Sequence, residues 1–451
     1  MSSTSVRLAY LTAGAAGMYC GSCLRDNSLV TALNRRGGDA TLVPTYTPIR
    51  TDEPDESIDQ VFLGGLNVYL QQRLPLMRYL PGIFDRWLDH PWLIRQVAKG
   101  GAPPDPRFLG QLTLSMLRGS GGNQRKEVRR LTTWLQQDLR PNVINLSNML
   151  IAGCVPTLRR EIGVPIVVTL QGDDVFLEGL TPEFRRQAID QIRRLVSDVD
   201  AFIAFNRFYA DFMSDYFDIP PEKIHVVQLG IQLNDYRQFD ARGATMGRPP
   251  TIGYLARLAP EKGLHTLIDA FVDLRQNRNL TDIRLRIAGW LGQPHADYAE
   301  QQLRRLDEAG LAGAYDYMGT VDRAQKLEFL SSIDVLSVPT DFQDPKGIYV
   351  LESLAAGVPC VQPDHGAFPE LLGSTRGGVL VPPRSAPHLA DAIADLLENP
   401  DRAREVGRVG RARVFERHGA EHMADATLKL YKSLIAGRKT TASAVDSSND
   451  R

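Results

Sequence analysis

The sequence predicts an α/β protein of two doubly wound, Rossmann-like parallel-sheet domains, and three observations lead there. The chain has 451 residues, about three times the ~150 of an ordinary domain. Short apolar runs of strand length alternate with segments of helical period, the mark of βαβ units and a parallel sheet. The alternation restarts after a Gly- and Pro-rich stretch at 241–250, ARGATMGRPP, which reads as a linker.

The elements follow in order. VRLAYLTAG is a buried strand running into a glycine loop. A helix is expected from about Asp26 to Arg36, with Leu29, Val30 and Leu33 on one face and Gly37 and Gly38 as its stop. ATLVPTY completes the first βαβ unit. Later strands are VINLS near 143–147, PIVVTLQG near 165–172, DAFIAFN near 200–206 and KIHVVQLG near 223–230. Past the linker, TIGYLARL, IRLRIAG, YDYMG, DVLSVPT, VPCVQP and GGVLVP repeat the plan. Ligands of such sheets bind at the carboxyl ends of the strands, so the site is expected in a cleft between the domains.

Composition excludes several classes. Apolar residues are 43% and charged residues 23%, a mix that rules out disorder as the dominant state. Lys and Arg number 52 against 53 Asp and Glu, a net charge of -1, which is not the basic excess of a broad nucleic-acid binder. Four cysteines cannot form a disulfide scaffold, so a reducing, cytoplasmic setting is expected. No run reaches ~18 apolar residues, and the N-terminus lacks the apolar region of a signal peptide. Segment 71–130 carries eleven Lys and Arg against four acids, with Tyr79, Phe84, Trp87, Trp92 and Phe108 interleaved. That composition suits an anionic membrane surface or a subdomain with inward-packed aromatics, and the second is favoured. The tail 438–451 is small and polar and is expected to be disordered.

The strongest motif is DPKGIYVLESLAAGVPCVQPDHG, residues 344–366. A strand precedes it, Gly347 enters a helix, and Gly357 ends that helix. A helix N-terminus offers free N–H groups and a positive dipole end to phosphate. Glu352, in the second turn, has the chemistry to accept two ribose hydroxyls. Asp344, eight residues earlier on the loop, suits a second polyol. The other motif is GYLARLAPEKGLHTLIDAF, residues 253–271, which places Arg257 and Lys262 on a loop after a strand. Two cations there suit a diphosphate.

Together these motifs resemble the retaining glycosyltransferases of the GT-B fold, family 4 (group 1), the sucrose-phosphate-synthase and mannosyltransferase-like group. The resemblance spans Leu8 to about Ile435. It rests on the R-x4-K of Arg257 and Lys262, the acidic-x7-Glu of Asp344 and Glu352, YMGTVDRAQKLEFLSSIDVLSVPT, and GGVLVPPRSAPHLADAIADLLENP. It implies an N-terminal acceptor-binding domain at 1–240, a nucleotide-sugar-binding domain at 248–415, and helices at 416–436 that cross back to the first domain. It implies transfer of a sugar from a UDP or GDP donor to a hydroxyl of an acceptor such as a glycolipid or polysaccharide. No metal or other cofactor is implied. In these terms Arg257 and Lys262 neutralise the leaving diphosphate, and Asp344 contacts the transferred sugar. The backbone of Gly347, Ile348 and Tyr349 holds phosphate, Glu352 binds ribose, and Gly21 or Gly17 lets the first loop approach the diphosphate. A cytoplasmic enzyme follows, with contact to the inner membrane face through 71–130 as a further expectation.

Three positions depart from the family pattern. Asp344 stands where Glu is usual, shortening the reach by ~1.5 Å. Lys346 stands where Phe is common. Gln171, in TLQGDD, stands where the family often has His, and Gln donates no proton at neutral pH. These departures motivate alternatives: a catalytically weak sugar-nucleotide-binding protein of the same fold, or a nucleotide-sugar epimerase or hydrolase. Asp173 and Asp174 are adjacent rather than spaced as a metal-binding DxD and read as a loop or helix cap. Cys20 and Cys23 form a C-x-x-C to which the family gives no role, and tight packing is the favoured reading over a redox pair. Arg25, Asp26 and Asn27 are expected to line the acceptor side.

Overall fold

The structure is a computed structural model that describes residues 5–14, 20–63, 106–239 and 248–449, with the last helix described as backbone beyond Arg438. The chain divides into two compact units, Met1–Gln228 with Glu421–Arg451, and Leu229–Ala420.

The first unit holds β1 (Arg7–Thr12), β2 (Asp39–Pro44), β3 (Val143–Leu146), β4 (Ile166–Thr169), β5 (Ala201–Ala204) and β6 (Ile224–Val226). They form one parallel sheet in the order β2-β1-β3-β4-β5-β6. β3, β4 and β5 are buried along their whole length, as expected of strands covered on both faces. The second unit holds β7 (Thr251–Leu255), β8 (Arg284–Ala288), β9 (Tyr315–Tyr317), β10 (Val335–Leu336), β11 (Cys360–Pro363) and β12 (Gly378–Val381). Their order is β12-β11-β10-β7-β8-β9, again parallel throughout. In each sheet the order reverses beside its first strand, between β1 and β3 and between β7 and β10. Those are the switch points at which doubly wound sheets hold ligands.

Several boundaries differ from the sequence reading. The helix after β1 runs Gly21–Arg35 and starts before Asp26. Its first buried face is polar, with Arg25, Asp26 and Asn27 all buried, so an apolar-period reading misses its opening turn. The division between units falls at Gln228 and Leu229 rather than in the 241–250 linker. The cause is the segment Asn234–Phe239, which buries Tyr236 and Phe239 within the second unit. Residues 241–247 of the linker lie outside the described residues.

The tail reading is corrected. The last helix runs Ala420–Asn449, so the segment from Arg438 is helical through Asn449. Two anchors precede it in the first unit. Buried Tyr431 donates to Asn145 Oδ1 at 3.0 Å, and Arg438 bonds both Asp200 oxygens at 3.0 Å. Extending an anchored helix costs far less than starting one.

Of the basic segment 71–130, residues 71–105 lie outside the described residues. The remainder forms the helices Pro106–Leu117 and Arg125–Trp134. Among the described residues no helix is long and apolar enough to cross a membrane.

Backbone geometry at one glycine sets how tightly β7 and β10 share their ends. Gly263 has φ +71, and a Cβ there would sit 1.7 Å from the Pro339 carbonyl oxygen. Both the left-handed backbone and the contact demand glycine. We expect Gly263→Ala to destabilise the second unit by about 3 kcal/mol or more, read as a lower melting temperature.

Candidate functional site

Because β7 pairs directly with β10, through Val335 with Ile252 and Leu336 with Gly253, the loops that leave their carboxyl ends are neighbours. The β7 loop carries Arg257 and Lys262. The β10 loop carries Asp344 and enters the helix Ile348–Ala355. Buried Tyr254 on β7 braces the first loop, its hydroxyl donating to the Arg257 carbonyl at 3.1 Å and the Lys262 carbonyl at 3.4 Å. The Asp341 N–H donates to the Glu261 carbonyl at 3.0 Å and ties the loops together.

Lys262 and Asp344 meet at this junction. Lys262 Nζ donates to Asp344 Oδ2 at 2.7 Å, and the hydroxyl of Tyr349 donates to the same oxygen at 3.1 Å. Asp344 Oδ1 accepts the backbone N–H groups of Lys346 at 3.0 Å and Gly347 at 3.2 Å. The Lys262 ammonium also lies 4.6 Å from the centre of the Phe342 ring and 5.5 Å from that of Tyr349, within cation–π range. Burial alone would raise the Asp344 carboxyl. The Lys262 charge and hydrogen bond and the Lys346 backbone N–H outweigh it and bring the group down to about 2. Asp344 is therefore an ionised, fully held anion, and Lys262 is the cation it aims.

Gly347 precedes the helix with φ +66, a left-handed turn that glycine adopts without strain. The helix's first N–H groups, at Ile348 and Tyr349, have no carbonyl one turn earlier to bond. Arg257 takes a different partner. Its Nη2 pairs with Glu261 at 3.1 Å, and the side chain is about one-third exposed. Glu352 is buried in the same helix, paired with Lys326 and accepting from the Tyr236 hydroxyl at 3.3 Å.

The first unit has its own polar cluster around the carboxyl side of its sheet. Asp26 accepts from Tyr10 at 2.7 Å, Thr12 at 3.0 Å and Gln171 Nε2 at 2.9 Å, and pairs with Arg25 at 3.2 Å. Burial raises the Asp26 carboxyl despite the Arg25 charge and these hydrogen bonds. Gln171 Nε2 also donates to the Ser147 carbonyl at 2.9 Å, so its amide nitrogen turns inward. Arg25, Asp26 and Asn27, expected to line the acceptor side, are wholly buried. Asn27 serves the fold by bonding the Pro54 carbonyl and the Glu56 N–H at 2.9 Å each.

Asp173 and Asp174 act structurally, but not as the caps expected: they open the helix Asp173–Glu178, whose N-cap is Gly172 without a side-chain cap bond. Asp173 accepts the Met149 N–H at 2.5 Å and the Gln171 N–H at 3.2 Å, and burial pushes it up to about 6. Asp174 accepts from the Tyr209 hydroxyl at 2.6 Å. Gly21 is the first residue of its helix and exposed, while Gly17 lies outside the described residues. Cys20 is half-buried and Cys23 buried at that helix start. Among the described residues no three His, Cys, Asp or Glu side chains gather as metal ligands.

Sequence reasoning missed the side chains that hold the charges: Tyr349 and Phe342 at Lys262, Tyr254 under its loop, and Lys326 and Tyr236 at Glu352. One signal was available. Lys326 stands three residues before Phe329 and four before Leu330, both buried, so it falls on the core face of its helix.

Comparison with known proteins places these features in context. Residues 26–230 match the family model described as "Glycosyl transferase 4-like domain", and residues 236–413 match "Glycosyl transferases group 1". The chain is 28% identical to the glycogen synthase of Mycobacterium tuberculosis over 302 residues, covering 66% of this chain and 70% of that protein. It is 24% identical to the D-inositol 3-phosphate glycosyltransferase of Saccharomonospora viridis over 416 residues, covering 84% of this chain and 91% of that protein. Among solved structures it resembles the sucrose-phosphate synthase of Thermosynechococcus elongatus, with a TM-score of 0.68 at 18% identity over 96% of this chain and 100% of that one. It also resembles Anabaena HepE in complex with UDP, at 0.65 and 16% over 95% and 100%.

A carboxyl held at about 2 against an ordinary 3.8 contributes stability that is present above about pH 4 and lost as pH falls through 2. Asp344→Asn should therefore destabilise the second unit at pH 7 by about 2 kcal/mol or more, at ~1.36 kcal/mol per pK unit. The deficit relative to wild type should narrow below pH 4. Denaturant unfolding of both proteins at pH 7 and pH 3 checks this, and an unchanged deficit would contradict the assignment of an ionised Asp344.

Proposed function

The chain belongs to the group 1 glycosyltransferases of the GT-B fold, and on that premise we propose a retaining transfer from a nucleotide-diphosphate sugar to an acceptor hydroxyl. The observation that carries this reading is the Lys262–Asp344 pair at the β7–β10 switch point, beside a glycine-led helix N-terminus.

The chemistry asks for charge neutralisation as the glycosidic bond breaks and negative charge gathers on the departing diphosphate. Lys262, aimed by Asp344 and flanked by Phe342 and Tyr349, supplies one fixed cation. Arg257, on the same loop and paired only at its rim with Glu261, supplies a second that can turn to the phosphates. The N–H groups of Ile348 and Tyr349 add the helix dipole. Stabilisation of this kind is set in place before reaction and needs no reorganisation at the transition state. Two protein cations and a dipole match a diphosphate without a divalent metal, so metal-independent transfer is part of the proposal. Asp344 spends both lone pairs of each oxygen on protein donors, Oδ2 on Lys262 and the Tyr349 hydroxyl and Oδ1 on the Lys346 and Gly347 N–H groups, so it takes a sugar hydroxyl by exchanging one of these donors. Glu352 takes the ribose.

A UDP or GDP donor fits the named relatives. HepE was solved with UDP and with UDP-glucose, and another relative is a GDP-mannose-dependent mannosyltransferase acting on a phosphatidylinositol mannoside. That acceptor class accords with a glycolipid or polysaccharide acceptor and with contact of segment 71–130 at the inner membrane face. One observation favours a second reading, a weak or non-catalytic nucleotide-sugar binder: Gln171, where the family often has His, is turned inward to Asp26 and Ser147.

Thermal-shift binding against UDP, GDP, ADP and their sugar conjugates, without added metal, identifies the donor. A ligand at 100 times its dissociation constant adds about 2.7 kcal/mol of stability. With that donor, Arg257→Ala and Lys262→Ala should each lower the transfer rate ~100-fold or more. Near-normal rates in both variants would sink the assignment, and binding without transfer to any acceptor would favour the second reading.

A further inference from the structure

The carboxylate of Glu352 is held from one side. Its side chain is 7% exposed and sits in the second turn of the helix Ile348–Ala355. Oε1 pairs with Lys326 Nζ, accepts from the Tyr236 hydroxyl at 3.3 Å, and lies 4.0 Å from Arg323 Nη1. Lys326 is itself buried, with a side chain 8% exposed. It comes from the helix Arg323–Ser332, whose start is set by a reciprocal cap between Asp322 and Gln325. Tyr236 comes from a third segment, and its own carbonyl accepts from Arg411 Nη1 at 2.9 Å. Two elements thus converge on one oxygen of a carboxylate carried by a third, and the contacts above leave Oε2 with its lone pairs in a fixed direction.

Stability does not ask for this arrangement. Burying a lysine and a glutamate costs several kcal/mol per ion, and an apolar pair of similar volume often serves a core as well or better. The site beside it does have a use for a fixed carboxylate oxygen. Resting on the reading of Glu352 as the ribose ligand, we propose that Lys326 is a positioning residue for the donor's ribose. It holds Glu352 by Oε1 so that Oε2 meets the sugar hydroxyls of the nucleotide, and it does so without touching the nucleotide itself. Removing it leaves the carboxylate free to rotate, and selectivity for ribose over deoxyribose falls.

The test compares UDP with 2′-deoxy-UDP, and GDP with 2′-deoxy-GDP, by calorimetric titration of the full chain. A hydrogen bond to a charged group predicts that the wild type binds the ribonucleotide about tenfold or more tightly. Glu352→Gln and Lys326→Met should each bring that ratio close to one, and the double variant should lose no more than either single. Lys326→Gln, which keeps a polar group in the same space, guards against a misfolded methionine variant, and melting curves confirm that each protein is folded. A merely structural lysine would weaken both nucleotides equally and leave the ratio intact. If both Lys326 variants keep the ratio while Glu352→Gln loses it, the positioning role is overturned and the ribose role of Glu352 stands. If Glu352→Gln keeps the ratio, or the wild type shows none, the reading of Glu352 fails and this inference with it.

Discussion

The chemistry of the second unit depends on one constraint, the direct pairing of β7 with β10. All connections in a parallel sheet return over its faces, so every strand ends on the same edge. At the reversal of strand order the two flanking connections leave in opposite directions and open a crevice. Arg257 and Lys262 leave on one side and Asp344 with its helix on the other. A contact at Gly263 against Pro339 sets how closely the two loops approach. A side chain at that position would push the loops apart and carry Lys262 away from Asp344. The site is therefore a consequence of strand order and of one glycine, and the ion pair reports that both are in place.

Among the described residues, three charge pairs sit where water barely reaches: Arg25 with Asp26, Lys262 with Asp344, and Lys326 with Glu352. Each costs desolvation that its mutual attraction only partly returns. Hydrogen bonds from neutral groups offset much of the rest, from Tyr10 and Thr12 to Asp26, from Tyr349 to Asp344, and from Tyr236 to Glu352. Such expense concentrates at positions where a fold serves something other than its own stability. Two of the three pairs lie around the helix Ile348–Ala355, and the third lies at the start of the first helix of the other unit.

Much of this is legible in the sequence. The strand runs were visible because a parallel sheet covered on both faces needs uninterrupted apolar residues. The loop cations, the entry glycine and the two acids were visible because their spacing survives on one stretch of chain. The helix after β1 was read too short because its first buried face is polar. The tail was read as disordered because its composition carries no sign of the anchors at Tyr431 and Arg438. The division between units was set in the linker because the burial of Tyr236 depends on groups far along the chain.

By itself, the sequence determined the two-unit α/β plan, the order of strands and helices, and the candidate donor residues. Those properties follow from local periodicity and from motifs whose parts lie within a few turns of one another. Only the tertiary structure decided which charges meet. Lys262 reaches Asp344 across 82 residues, Lys326 reaches Glu352 across 26, and Gln171 reaches Asp26 across 145. The reason is physical. The worth of a charge depends on its distance to the opposite charge and on how much water lies between, and strand pairing and packing set both.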